Sequence, residues 1–206
     1  MAKVKICGLS RSEDIEFVNQ TKPDYIGFVF APKSRRYVTP EKALRLRHSL
    51  SDGIAPVGVF VNAEIDLIVE LVERNVISYV QLHGVEDQCY VDALRSRATA
   101  PVIQAFRVDS AEDVQRAMQS YADYILFDNG SGGTGQTFDW SVTIDSKRPF
   151  FLAGGLDTSN LEEALKRFCP FAVDLSSGVE TNGVKDFQKI QKVVDIVRRF
   201  DSTCKS

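Results

Sequence analysis

Two residues of this 206-residue chain stand where protons could be moved: Cys7 and Asp128. Each ends a short apolar run, residues 4–7 and residues 124–127. A thiol works as a base or nucleophile only as the thiolate, which needs nearby cations or a helix N-terminus. A helix expected to begin near Ser10, just past Gly8, could supply the latter. A carboxylic acid donates protons near neutral pH where its surroundings raise its pKa. Both have plainer readings. Free cysteine is among the most buried residue types, and aspartate is common in turns and N-caps. Cys89, Cys169 and Cys204 fall in helix or tail patterns and read as structural.

Other candidates would hold anions. Gly154-Gly155 and Ser177-Gly178 each follow an apolar run. Backbone N–H groups at such ends can cradle a phosphate, although ordinary turns use the same residues. Arg36 could clamp a phosphate or carboxylate, or it could be surface charge beside Arg35. His83, in Gln81-Leu82-His83-Gly84, reads as a satisfied polar core residue or as a site residue. Gly130-Ser131-Gly132-Gly133-Thr134-Gly135 matches a dinucleotide-binding pattern, with Asp157 further on. That pattern needs a close-packed helix behind it, and Gln136-Thr137-Phe138-Asp139-Trp140 makes a poor one. A glycine-rich flap over the site is the better reading.

The elements that must position these residues follow from patterning. Eight apolar runs span residues 4–7, 25–30, 56–61, 79–82, 101–106, 124–127, 150–153 and 171–175. They read as strands buried on both faces, the mark of a parallel sheet. Helical patterns lie between them. Ser10 with Glu13, and Ser159 with Glu162, read as capping boxes. Thr39-Pro40 reads as an N-cap followed by a first helical residue, and Ser110 as another helix start. Residues 128–148 read as a long loop with at most a short helix. Eight strands alternating with helices predict an α/β fold, a single-domain (β/α)8 TIM barrel over residues 1–206, with 201–206 a frayed tail. A doubly wound open sheet is the alternative. In the barrel, all the candidates above gather at one rim, the C-terminal ends of the strands.

Composition narrows the function. Lys plus Arg number 25 against 28 Asp plus Glu, a net charge of −3. That is no field for nucleic acid. No apolar run approaches the ~18 residues of a membrane span, and the first residues lack a signal peptide's apolar stretch. The four cysteines are scattered without metal spacing. No metal is expected, and a reduced cytoplasmic location is.

Taken jointly, several motifs resemble a known family. They are Lys5-Ile6-Cys7-Gly8-Leu9, Gly27-Phe28-Val29-Phe30, Ser34-Arg35-Arg36-Tyr37, Val59-Phe60-Val61-Asn62 and Gln81-Leu82-His83-Gly84. Asp128 with Gly132-Gly133-Thr134-Gly135, Phe138-Asp139-Trp140, Ala153-Gly154-Gly155-Leu156 and residues 173–180 complete the set. In order and spacing they resemble the phosphoribosylanthranilate isomerases, from residue 3 to about residue 198. The resemblance implies a (β/α)8 barrel that performs an Amadori rearrangement in tryptophan biosynthesis without a cofactor. It implies Cys7 as general base and Asp128 as general acid. It implies substrate contacts at Arg36, His83, Gly132 and Gly133, and phosphate contacts at Gly154, Gly155, Ser177 and Gly178. The expected partner is the small-molecule substrate, the expected assembly a monomer or a homodimer. A sibling aminoaldose isomerase would carry aspartates as both acid and base, and Cys7 argues against it.

Overall fold

Val4 and Ile6 alternate with Lys3, Lys5 and Cys7 along β1 (Lys3–Cys7). A strand's two-residue period sends the two sets to opposite faces. In the computed structural model, which describes residues 2–128, 146 and 148–203, Val4 and Ile6 join the shell under the helices, and the other set faces inward. The following strands are β2 (Tyr25–Val29), β3 (Ala55–Phe60), β4 (Tyr79–Leu82), β5 (Val102–Arg107), β6 (Tyr124–Asp128), β7 (Phe150–Leu152) and β8 (Ala172–Leu175). Each pairs in parallel with the next, and β8 pairs with β1. The barrel is closed, so the open-sheet alternative falls: no edge is left. Lys5 stands opposite Tyr25 on one side and Asp174 on the other.

The inner face is split by depth. Toward the strand N-termini, Tyr25, Tyr79, Tyr124, Phe151 and Phe171 plug the barrel. Tyr124 stacks on Phe171 with ring centroids 5.1 Å apart, and Tyr25 meets Tyr79 edge-on at 5.3 Å. The Lys3 ammonium caps the plug, over the Tyr25 and Phe171 rings. Burying such side chains contributes about 1.5–3 kcal/mol each. Above the plug, toward the C-terminal rim, Cys7, Gln81, Asp128 and Asp174 face a cleft.

Helices cover the outside: α1 (Ser12–Thr21), α2 (Pro40–His48), α3 (Ile65–Glu73), α4 (Gln88–Arg95), α5 (Ala111–Met118), α6 (Leu161–Phe168) and α7 (Phe187–Thr203). Thr39 caps α2, its Oγ1 accepting from Lys42 N at 3.2 Å with Pro40 at the first position. Ser110 caps α5 in the same way. The two predicted capping boxes move. At α1 the N-cap is Arg11, and Asp14 rather than Glu13 reaches back, accepting from Ser10 N and Arg11 N. At α6 the N-cap is Asn160, because Ser159 is drawn into a turn with Asp157. α7 reaches Thr203, so residues 201–203 are helical where fraying was expected. The 130–135 flap, with Gly132 and Gly133, lies outside the described residues. Beyond β8 come elements that patterning did not suggest. They are one 3-10 turn (Ser177–Val179) and a small hairpin, β9 (Glu180–Thr181) and β10 (Val184–Lys185).

Candidate active site

The rim holds a cleft of about 680 Å³. Cys7, Arg36, His83, Asp128, Gly154, Gly155 and Ser177 all line it. Gly178 does not. A Cβ on Gly178 would run into the Leu156 carbonyl, so glycine there lets the ends of β7 and β8 close on each other. Gly154 and Gly155 have φ of 91° and 63°, left-handed values that favour glycine and turn their backbone across the cleft wall.

Cys7 is placed by its neighbours' smallness. Across on β2, a Cβ at Gly27 would come 2.7 Å from the Cys7 sulfur. Gly8, at φ 82°, lets the chain turn so that Gly8 N and Leu9 N both donate to Gly27 O. The Arg36 stem crosses Gly8 where a side chain would stand. The amides between Cys7 and the start of α1 are all engaged. Asp14 takes the amides of Ser10 and Arg11, and Gly27 takes those of Gly8 and Leu9.

Cations act on Cys7 instead. Burial pushes its thiol above the ordinary range, Lys5 and Lys185 pull it down, and Asp174 pushes it up again; the net effect is upward. Lys5 is fully buried, with Nζ 2.6 Å from Asp174 Oδ2. Burial alone would lower the Lys5 ammonium, but Asp174 and Cys7 outweigh it and hold it high. Asp174 Oδ1 is buried with no partner among the described residues. Lys185 donates to Ser176 O at 2.9 Å and to Glu180 Oε1 at 2.8 Å. Ser176 Oγ in turn donates to the Cys7 carbonyl at 3.1 Å.

Glu180 is the hub of this side. It accepts from Arg36 Nε at 2.6 Å, Arg36 Nη2 at 2.9 Å and Arg35 Nη2 at 2.8 Å. Burial would raise its carboxyl, but Arg36 and Lys185 hold it below the usual range. Neither arginine is therefore simple surface charge. Arg36 lies mostly buried in a fixed pose, and among the described residues its Nη1 has no hydrogen-bond partner.

Opposite, at the end of β6, Asp128 Oδ2 lies 3.1 Å from His83 Nε2. Gln81 Nε2 donates to His83 Nδ1 at 2.9 Å. That places the imidazole proton on Nε2, from which it donates to Asp128. His83 is thus a rim residue, its side chain about a third exposed, and not the core residue of the plainer reading.

The roles of Lys5, Asp174, Glu180 and Lys185 went unread in the sequence. One signal was available: a lysine between Val4 and Ile6, in a strand buried on both faces, needs a counter-ion. Among the described residues, no three His, Cys, Asp or Glu side chains gather as a metal site. No helix of the described residues is long and apolar enough to cross a membrane.

Known proteins resemble this chain in sequence and in fold. A family model described as N-(5'phosphoribosyl)anthranilate (PRA) isomerase matches residues 4–196. The N-(5'-phosphoribosyl)anthranilate isomerase of Endomicrobium trichonymphae is 50% identical over 202 residues, 96% of this chain and 99% of its own. The solved phosphoribosyl anthranilate isomerase of Thermotoga maritima superposes with a TM-score of 0.87 at 37% identity, over 97% of this chain and 100% of the other. A solved phosphoribosyl anthranilate isomerase in complex with reduced 1-(o-carboxyphenylamino)-1-deoxyribulose 5-phosphate superposes at 0.84 with 36% identity, over 97% and 100%.

Proposed function

The chain belongs to the N-(5'-phosphoribosyl)anthranilate isomerase family, and from that premise we propose that Cys7 is the base and Asp128 the acid of its reaction. It converts N-(5-phosphoribosyl)anthranilate into 1-(2-carboxyphenylamino)-1-deoxyribulose 5-phosphate, a step of tryptophan biosynthesis. The change is an Amadori rearrangement, aldose to ketose, with no net gain or loss of atoms.

Asp128, protonated, gives its proton to the ribose ring oxygen as the ring C–O bond breaks. The anthranilate nitrogen's lone pair forms a protonated imine that keeps its N–H, and the carboxylate left behind stays beside His83 Nε2. The imine acidifies the C2' hydrogen. The Cys7 thiolate removes it, and the C–H electron pair becomes the C1'=C2' double bond of an enolamine. The enolamine loses its hydroxyl proton and gains one at C1', leaving the ketone. These steps call for one acid and one base and for no metal or organic cofactor.

The substrate is anionic at both ends, through its phosphate and its carboxylate. The amides about Gly154, Gly155, Ser177 and Gly178 suit the phosphate. The Nη1 edge of Arg36 suits the anthranilate carboxylate. Gly132 and Gly133, substrate contacts by the family resemblance, lie outside the described residues. Held at both ends, the substrate presents C2' to Cys7 without a search. A reducing compartment such as the cytoplasm keeps that thiol free.

The observation that carries this reading is that Cys7 and Asp128 open into one cleft with the glycine ends of β7 and β8. The test follows the substrate's aminobenzoate fluorescence as it decays. Cys7→Ser and Asp128→Asn should each cost about 10²–10⁴ in rate, the usual worth of a positioned proton-transfer group. Unimpaired decay with a folded Cys7→Ser protein would remove Cys7 from the mechanism.

A further inference from the structure

Lys5 sits one pleat below Cys7 on the inner face of β1, inside the barrel and fully buried. An ammonium has three N–H donors. Asp174 Oδ2 takes one at 2.6 Å, and Cys7 follows two residues on along the same face of β1, so the ammonium and the thiol act on each other electrostatically. Asp174 in turn has a buried Oδ1 with no partner among the described residues, so nothing else compensates that carboxylate.

The charges around Cys7 do not cancel. On the β1–β8 side of the cleft, Lys5, Lys185 and Arg36 supply three positive charges and Asp174 and Glu180 two negative ones, while the Asp128 carboxylate stands across the cleft against His83. Arg35 adds to the excess from the exposed rim. β2 brings only Gly27 against the sulfur and Tyr25 beneath Lys5. Asp128 and His83 line the same cleft. Buried charge is normally balanced, and a thiolate at Cys7 would balance the excess among the buried groups.

We propose that Lys5 and Asp174 are positioning residues that set the charge on Cys7: Lys5 is the counter-ion of its thiolate, and Asp174 competes for that ammonium. This rests on the reading of Cys7 as the base. Lys5 acts through the sulfur and not on the substrate. Asp174 holds the ammonium under the sulfur and keeps the thiol from ionising too readily, so that the proton taken from C2' can be given up again.

The pair predicts opposite effects from its two halves. With Cys89, Cys169 and Cys204 replaced by serine, Cys7 is the remaining thiol, and iodoacetamide alkylation reads its ionisation without substrate. The midpoint of alkylation rate against pH should rise by about one to three pH units in Lys5→Met. It should fall in Asp174→Asn, which removes the competing charge and keeps the ammonium. Turnover at fixed neutral pH should drop about tenfold per unit of rise in Lys5→Met and recover as the pH is raised. Lost packing alone would not move the two midpoints in opposite directions. If Lys5→Met does not fold, Asp174→Asn decides the matter by itself: a lowered midpoint upholds the proposal. Midpoints that stay put, or move the same way, overturn it. Cys7→Ser in the turnover assay tests the base reading separately, since a lost role in turnover and an unmoved midpoint are read on different axes.

Discussion

At Gly27 the absence of a side chain makes room for the proposed base, because the Cys7 sulfur fills the place a methyl would take. Gly27→Ala should fold, since β2 needs no special backbone there, yet it must push the sulfur aside. A displacement of about 1 Å at a reacting group can cost about 10²-fold. A kcat loss of that order with KM little changed is expected from steady-state kinetics; unchanged kcat would show that the sulfur has room to spare. As the proposed base, Cys7 also sets how the rate should depend on pH. Burial leads the effects that hold its thiol high, and a base must be deprotonated to act. kcat/KM should therefore still be climbing as pH passes the ordinary thiol value of about 8.5. A profile already flat well below that pH would contradict Cys7 as the titrating base.

The ends of β7 and β8 meet through Gly178, whose hydrogen faces the Leu156 carbonyl. A backbone carbonyl cannot rotate out of the way as a side chain can. Gly178→Ala should lower stability by about 1–3 kcal/mol through overpacking, and it should raise KM more than it lowers kcat, because the wall proposed for the phosphate moves and the acid and base do not. Thermal melts and steady-state kinetics check both parts. At this scale the sequence was a good guide where the determinants are local. Strands with both faces apolar announced themselves, and Thr39 and Ser110 cap the helices they precede. It misled where two local solutions compete: Asp14 displaced Glu13, and Asp157 drew Ser159 out of its capping role. The site was half legible. Cys7, Asp128 and the glycines stand at strand ends that the pattern locates. The ion pairs around them were hidden, because Lys5 meets Asp174 across 169 positions and Arg36 meets Glu180 across 144.

Across the whole molecule, Glu180 ties the segment after β2 to the segment after β8, through Arg35, Arg36 and Lys185. Its carboxyl is held below the usual range although burial opposes this, so the unfolded chain binds a proton there more readily than the folded one. The stabilisation is therefore complete above about pH 4.3, the unfolded value. It fades as the pH falls through the lower, folded value. Glu180→Gln should cost about 3–5 kcal/mol near neutrality by stranding buried cations, and its stability should vary less with pH below that value than the parent's. Denaturant unfolding at neutral and acid pH measures the difference; equal pH dependence in both proteins would contradict this account.

The pairing of β1 with β8 bears on how the enzyme is made. A ribosome makes β1 long before β8, so Lys5 and the proposed base beside it emerge well ahead of Asp174, which lies 169 positions further along the chain than Lys5. Until then Lys5 has no Asp174 to neutralise it and the rim has no eighth wall. A nascent chain that stalls short of β8 thus carries a cysteine without its setting, and catalysis begins only when the last strand of the barrel arrives to meet the first.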